Sequence, residues 1–364
     1  MAIYLDGMFY RCSGVGRVYE NLLEAFSTQP GIGEIHTAVP AAQKGPFLEQ
    51  FRRPSIKPMF VGYGPMSAGD LFRKSAALRS LRDTVRLYFF PGHNVPLYMP
   101  GRYIVSVNDV TVFSRHFTLP SYRKAGFRWL LGRAVRGAEA VVTISATVRR
   151  DLVREFGLPP EKIRVIYPWV KEAFFLPPEG NPSVPGDYLL YVGLRIAHKN
   201  VEGILRSFLI VAEEFPAVKL VIAGGRYATP DMVDRWKGDP RLAGKVIEIL
   251  DPSDEEIRRL LGGAKAFVFP SFAEGFGLPP LEAMASGVPV VCSDIPVFRE
   301  VYGDAARYVE PESPVSIAAG IREVLRDSAF SEGLSERGRR RAARYRADRS
   351  LQSYLDLLLC HCPE

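Results

Sequence analysis

Residues 266–292, AFVFPSFAEGFGLPPLEAMASGVPVVC, restrict the fold more than any other part of this chain. Ala266–Phe269 is a short apolar run and reads as a buried strand. A glycine-rich loop holding Glu274 follows, and a helix carrying Glu282 is expected to begin near Pro280. Proline suits a first helical turn, where the N–H it lacks would be unpaired anyway. Ser286-Gly287 is a stop signal, and Pro289–Cys292 is a second buried strand. Strand, loop, helix and strand in this order belong to a doubly wound parallel sheet. The free N–H groups at such a helix start attract phosphate. Carboxylates accept hydrogen bonds from vicinal hydroxyls. Together they suit a ligand carrying both phosphates and sugar hydroxyls, such as a nucleotide sugar.

The alternation extends both ways. Ala2–Leu5, Ile35–Val39, Leu87–Phe90, Tyr103–Val107, Ala140–Ser145 and Ile163–Pro168 read as strands of one sheet, and Tyr188–Gly193, Val218–Gly225 and Val246–Leu250 as strands of a second. A length of 364 residues fits two domains. We place them at 1–180 and 187–345, with the Pro/Gly-rich segment 176–186 as linker. No apolar run approaches the eighteen or so residues of a membrane span, and the N-terminus lacks the pattern of a signal peptide. Four cysteines (Cys12, Cys292, Cys360, Cys362) show neither disulfide nor zinc spacing, which suits a reducing cytoplasm. Cys360-His361-Cys362 reads as a frayed tail. A net charge of +7 favours anionic partners, and no nucleic-acid motif accompanies it. Two basic amphipathic helices, Asp70–Arg82 and Tyr122–Arg136, are either solvated faces or contacts for an anionic membrane. Arg337–Arg346 is read as a solvated helix face.

Lys199 follows the strand Tyr188–Gly193, at the mouth of a strand–loop–helix unit. A fixed cation there favours a diphosphate leaving group, whose charge grows as the sugar bond breaks. Gly14-Val-Gly16-Arg17 follows the first strand but is an incomplete dinucleotide fingerprint, lacking the third glycine and the acidic residue. A dehydrogenase is therefore the weakest reading.

Glu274 and Glu282, with Gly-Phe-Gly-Leu-Pro in the run between them, resemble the signature of retaining glycosyltransferase family 4. Members of that family have the GT-B fold: two Rossmann-like doubly wound domains facing across a cleft, with a C-terminal helix, here 346–364, crossing back to the first. The resemblance runs from Gly14 to this helix. It implies that Glu274 faces the donor sugar and Glu282 the ribose, within a donor-binding run that includes Gly275, Phe276, Gly277 and Leu278. It implies that Gly14 and Gly16 turn backbone N–H groups to the diphosphate and that Gly224, in Ala223-Gly-Gly225, ends a base-reading strand. Lys199 matches the family's leaving-group cation. Its usual Arg neighbour is His198 here, which makes Arg195 the candidate second cation. The family's His-Asp is Asn108-Asp109 in this chain. Asn108 can hydrogen-bond but cannot move a proton at neutral pH, and His93 is the nearest alternative polar group.

By the same resemblance the expected activity is retaining transfer of a hexose from a nucleoside-diphosphate sugar, GDP-mannose first, to a glycan or lipid-linked acceptor held by the first domain. Bacterial polysaccharide or lipopolysaccharide assembly is the expected setting, at the cytoplasmic side of the membrane. No cofactor or metal is expected: the chain contains no Asp-x-Asp, so Lys199, Arg195 and the helix N-terminus would serve instead. The alternatives are a GT-B epimerase-like enzyme and a non-catalytic basic protein that binds anionic lipid or nucleic acid.

Overall fold

The computed structural model describes residues 1–117, 119–226 and 232–361. It contains two wholly parallel sheets. The first has seven strands: β1 (Ala2–Leu5), β2 (Glu34–Pro40), β3 (Ile56–Val61), β4 (Leu87–Phe90), β5 (Tyr103–Val107), β6 (Ala140–Thr143) and β7 (Ile163–Val165), in the order β3-β2-β1-β4-β5-β6-β7. The second has six: β8 (Tyr188–Val192), β9 (Lys219–Ala223), β10 (Val246–Ile249), β11 (Ala264–Phe269), β12 (Val290–Ser293) and β13 (Arg307–Val309), in the order β10-β9-β8-β11-β12-β13. Helices cover both faces of a parallel sheet, so its central strands are buried on both sides. All four residues of β4 and of β6, and all five of β5 and of β8, are buried. Each order reverses once, between β1 and β4 and between β8 and β11. At such a switch point neighbouring loops diverge and leave a crevice beyond the carboxyl ends of the strands.

The chain divides into two compact units, one of Met1–Val110, Leu119–Pro168 and Asp348–Glu364, the other of Thr111–Thr118 and Trp169–Ala347. The first unit thus ends before the 176–186 segment read as linker, and residues 169–186 go with the second. Most of the C-terminal helix Ala347–His361 belongs to the first, where the Tyr354 ring lies 5.8 Å from that of Phe89. Cys362 lies outside the described residues.

Three local differences from the sequence reading have physical reasons. β3 was not anticipated because Pro58 interrupts it, and proline is tolerated only where a strand is an edge, as β3 is. The basic segment Asp70–Arg82 is a π turn (Gly69–Arg73) followed by a short helix (Lys74–Arg79), with Asp70 and Lys74 completely buried. The arginine-rich helix end is not simply solvated. Arg337 Nε donates to Asp304 O (3.0 Å), and Arg341 donates to Val301 O (2.6 Å) and Glu300 O (2.5 Å).

Candidate active site

The second unit's switch point brings together residues 75 positions apart. β8 and β11 are neighbours, so the loop after β8, carrying Lys199, lies beside the loop after β11, carrying Glu274. Lys199 Nζ is 2.6 Å from Glu274 Oε1, and both side chains are mostly buried. The ammonium also lies 5.4 Å from the centroid of the Phe269 ring. The two loops are tied together by backbone and amide bonds. Phe272 N–H donates to His198 O (2.8 Å), while Asn200 Nδ2 donates to Pro270 O (3.0 Å) and Pro311 O (2.7 Å). Asn200 itself adopts a left-handed backbone (φ 56°), which asparagine tolerates, and its Oδ1 caps the helix Val201–Glu214 by accepting from Gly203 N–H.

After Glu274 the chain turns into the helix Leu278–Ala285, with Pro279 and Pro280 in its first turn. Gly277 makes the turn. Its φ is 89°, and a Cβ there would collide with the Tyr302 hydroxyl, which donates to Gly277 O at 2.7 Å. Gly275 is buried, and Phe276 is 3 % exposed with its ring 5.5 Å from that of Tyr345, so this aromatic anchors the loop from inside. Leu278 is half-buried, and Glu282 is 2 % exposed on the helix. Gly224 ends β9 with φ 126°. A Cβ there would collide with the Gly193 backbone, so the ends of β8 and β9 approach as only glycine permits.

Arg195 departs from its expected place as a second cation for the diphosphate. Its side chain is fully buried, with Nη1 2.5 Å from Glu248 Oε1 on β10. Glu248 also receives Arg226 through two nitrogens (2.7 and 2.6 Å) and Lys237 (2.6 Å). Three cations overcome the cost of burying this carboxylate and hold it down at about 2. The pair fastens the loop that carries Lys199 to β10, two strands away in the sheet. Sequence reasoning also missed residues 111–117, which group with the second unit although they follow β5. The His116 ring stacks on Phe272 (4.3 Å, 10°), Phe117 stacks on His198 (5.7 Å), and Arg115 and His116 both meet Glu312. No local signal could reveal contacts made across 80 to 200 residues.

In the first unit, Gly14 and Gly16 fall in the opening turn of the helix Ser13–Phe26 rather than in a loop before it. Gly14 is exposed, and Gly16 N–H donates to Cys12 O (3.2 Å). Asn108, at the end of β5, is buried. Its Nδ2 donates to Pro91 O (3.2 Å) and its Oδ1 accepts from Ser106 (3.0 Å). The amide is thus committed to holding the β4 and β5 loops together. Asp109, next in the chain, is exposed and acts electrostatically on His93. Burial pushes the His93 imidazole below its ordinary value, with Asp109 pulling the other way. The ring meets Phe127 edge-on at 4.9 Å. Among the described residues no group of three or more His, Cys, Asp or Glu could hold a metal ion, and no helix is long and apolar enough to cross a membrane.

Two doubly wound units, the second with a cation–carboxylate pair at its switch point, define the GT-B architecture. Solved structures agree at the level of fold. Anabaena Alr3699/HepE in complex with UDP-glucose superposes with a TM-score of 0.81 at 13 % identity, covering 99 % of this chain and all of that one. Sucrose-phosphate synthase from Thermosynechococcus elongatus gives 0.76 at 16 %, covering 99 % of this chain and all of that one. The family model for glycosyl transferases group 1 matches residues 177–341, and that for glycosyltransferase family 4 matches residues 12–174. The O-antigen chain mannosyltransferase RfbU of Salmonella typhimurium strain LT2 is 32 % identical over 232 residues, 64 % of this chain and 63 % of its own length. The O-antigen chain mannosyltransferase B of Escherichia coli is 30 % identical over 290 residues, 75 % of this chain and 73 % of its own. The chain belongs to glycosyltransferase family 4.

Proposed function

We propose that this protein transfers mannose, with retention, from GDP-mannose to a glycan or lipid-linked acceptor in bacterial surface-polysaccharide assembly, without a divalent metal. The observation that carries the reading is the Lys199–Glu274 pair at the switch point of the second unit. Without ligand the ammonium is neutralised by Glu274. A diphosphate, with more charge than one carboxylate, competes for Lys199 and frees Glu274 to accept hydrogen bonds from the sugar. The cation then faces an anion whose charge rises as the glycosidic bond breaks, so it favours the transition state over the bound donor. Arg195 does not share this work; it holds the loop.

Mannose is supported by two of the matched relatives, both O-antigen chain mannosyltransferases. The epimerase and non-catalytic alternatives draw no support from them. On this reading the protein works at the cytoplasmic face of a membrane, and the helix Ser121–Gly137 offers exposed Tyr122 and Trp129 (70 % and 61 %) among basic residues for peripheral contact with anionic lipid. The test is nucleoside-diphosphate release from GDP-mannose, UDP-glucose and UDP-N-acetylglucosamine by the purified protein with lipid-linked saccharide extracted from a polysaccharide-producing bacterium. Release of GDP, dependent on the acceptor and lost in Lys199→Ala, is expected. Release of UDP alone would replace the donor, and no release with any donor would remove the reading.

A further inference from the structure

Within the second unit three loops meet beside the Lys199–Glu274 pair. The Asn200 amide, next to Lys199, donates both to Pro270 O in the loop after β11 and to Pro311 O in the loop after β13. Residues 111–117, which group with this unit, touch all three loops through consecutive side chains. Arg115 pairs with Glu312 of the β13 loop, and His116 Nε2 lies 3.4 Å from the same carboxylate. The His116 ring lies flat on Phe272 of the β11 loop (4.3 Å, 10°). The Phe117 ring stacks on His198 of the β8 loop (5.7 Å, 28°). A 3-10 turn at Thr111–Phe113 and the bonds from Ser114 N–H to Thr111 O (2.9 Å) and from Phe117 N–H to Ser114 O (3.3 Å) give the segment a folded backbone of its own.

These contacts differ in weight. Arg115 is 77 % exposed, so solvent screens its ion pair and the pair contributes little. His116 is 24 % exposed, and a stacked ring pair is favourable beyond the area it buries. Phe272 stands two residues before Glu274, and its N–H donates to His198 O (2.8 Å), next to Lys199. The stack therefore bears on the loop that carries the carboxylate. In the ligand-free protein Lys199 also holds Glu274, at 2.6 Å. Once a diphosphate has taken the ammonium, Glu274 loses that hold just as it has to face the sugar.

We infer that His116 is a positioning residue for transfer: its ring, seated on Phe272, keeps the Glu274 loop in place after the donor has taken Lys199. The stack uses neither the ammonium nor the diphosphate, so it persists through the exchange. The inference rests on the transferase reading above. It is tested on the parent, His116→Ala, His116→Phe, Phe272→Ala and the double variant His116→Ala/Phe272→Ala. Turnover is measured with the donor that the parent consumes and the lipid-linked saccharide extract, and calorimetry measures binding of the nucleoside diphosphate released. His116→Ala should bind that diphosphate within about twofold of the parent while kcat falls about five- to tenfold, the scale of one aromatic pair. His116→Phe keeps a flat ring and should recover most of kcat, although it cannot meet Glu312. The double variant should be no slower than the slower single one, because both changes remove the same contact. Melting points check the fold of each variant. An unchanged kcat in His116→Ala overturns the inference. So does a loss of diphosphate affinity with kcat intact, which would make the contact structural. Failure of His116→Phe to restore kcat, or losses that multiply in the double variant, would overturn it equally. A parent that releases no nucleotide from any donor removes the transferase reading, and this inference with it.

Discussion

Replacing Glu248 by glutamine removes a carboxylate shared by Arg195, Arg226 and Lys237. The side chain is 6 % exposed, so solvent screens the cluster little. Folding holds its acid constant at about 2 against an ordinary 4.5. That difference corresponds to about 3 kcal/mol in favour of the folded state at neutral pH. Breaking the buried Arg195–Glu248 pair belongs to the same scale, about 3–5 kcal/mol. For a unit of this size each kcal/mol moves the melting point by about 2–4 °C, so Glu248→Gln should melt about 6–12 °C lower at pH 7.5. The sign with pH follows from a depressed constant. The stabilisation is complete above 4.5 and disappears as pH falls towards 2, so the gap between parent and variant must shrink over that window. Differential scanning fluorimetry from pH 7.5 down to pH 3.5 reads both quantities. A drop under about 2 °C at pH 7.5, or a gap that stays constant with pH, would mean that the Glu248 carboxylate does not stabilise the fold in this way.

Two further perturbations address the donor loops. Glu274→Gln removes the anion that competes for Lys199, so on the proposed function GDP should bind as tightly as to the parent or more tightly, while glycosyl transfer falls roughly a hundredfold, the scale of one preorganised electrostatic contact. Calorimetry and product release measure the two separately, and weaker GDP binding would contradict the exchange. Gly277→Ala forces a left-handed residue against the Tyr302 hydroxyl and should destabilise by about 1–3 kcal/mol with loss of donor binding. A melting point unchanged in that variant would show that the turn adapts.

The second unit was more legible in the chain than the first. Between residues 264 and 293 the apolar runs, paired prolines and Ser-Gly stop carry their own local chemistry, and strands β11 and β12 and the helix between them lie where that chemistry puts them. β3 was hidden because Pro58 is a breaker in any strand but an edge strand, and edge position is a property of the whole sheet. Arg195 was misplaced for a related reason. A cation beside a phosphate-binding loop and one locked to Glu248 look alike until the pairing of β9 with β10 brings 195 and 248 together. Asp6, Asp70, Lys74 and Asn94 are scattered over 88 residues, and nothing local marks them as one cluster. Residues 111–117 carry no sign that their partners are Phe272 and Glu312.

Whether Lys199 holds a nucleoside diphosphate without a metal is read by thermal shift. The parent and Lys199→Ala would be titrated with GDP, UDP, dTDP and ADP in the presence of EDTA and again with magnesium. At a hundred times its dissociation constant a ligand stabilises by about 2.7 kcal/mol, which is several degrees here. GDP should shift the parent equally with EDTA or magnesium. Lys199→Ala should need about ten to a hundred times more GDP for the same shift, the value of one charged hydrogen bond. A shift that appears only with magnesium, or one that Lys199→Ala retains in full, would contradict metal-free binding through Lys199.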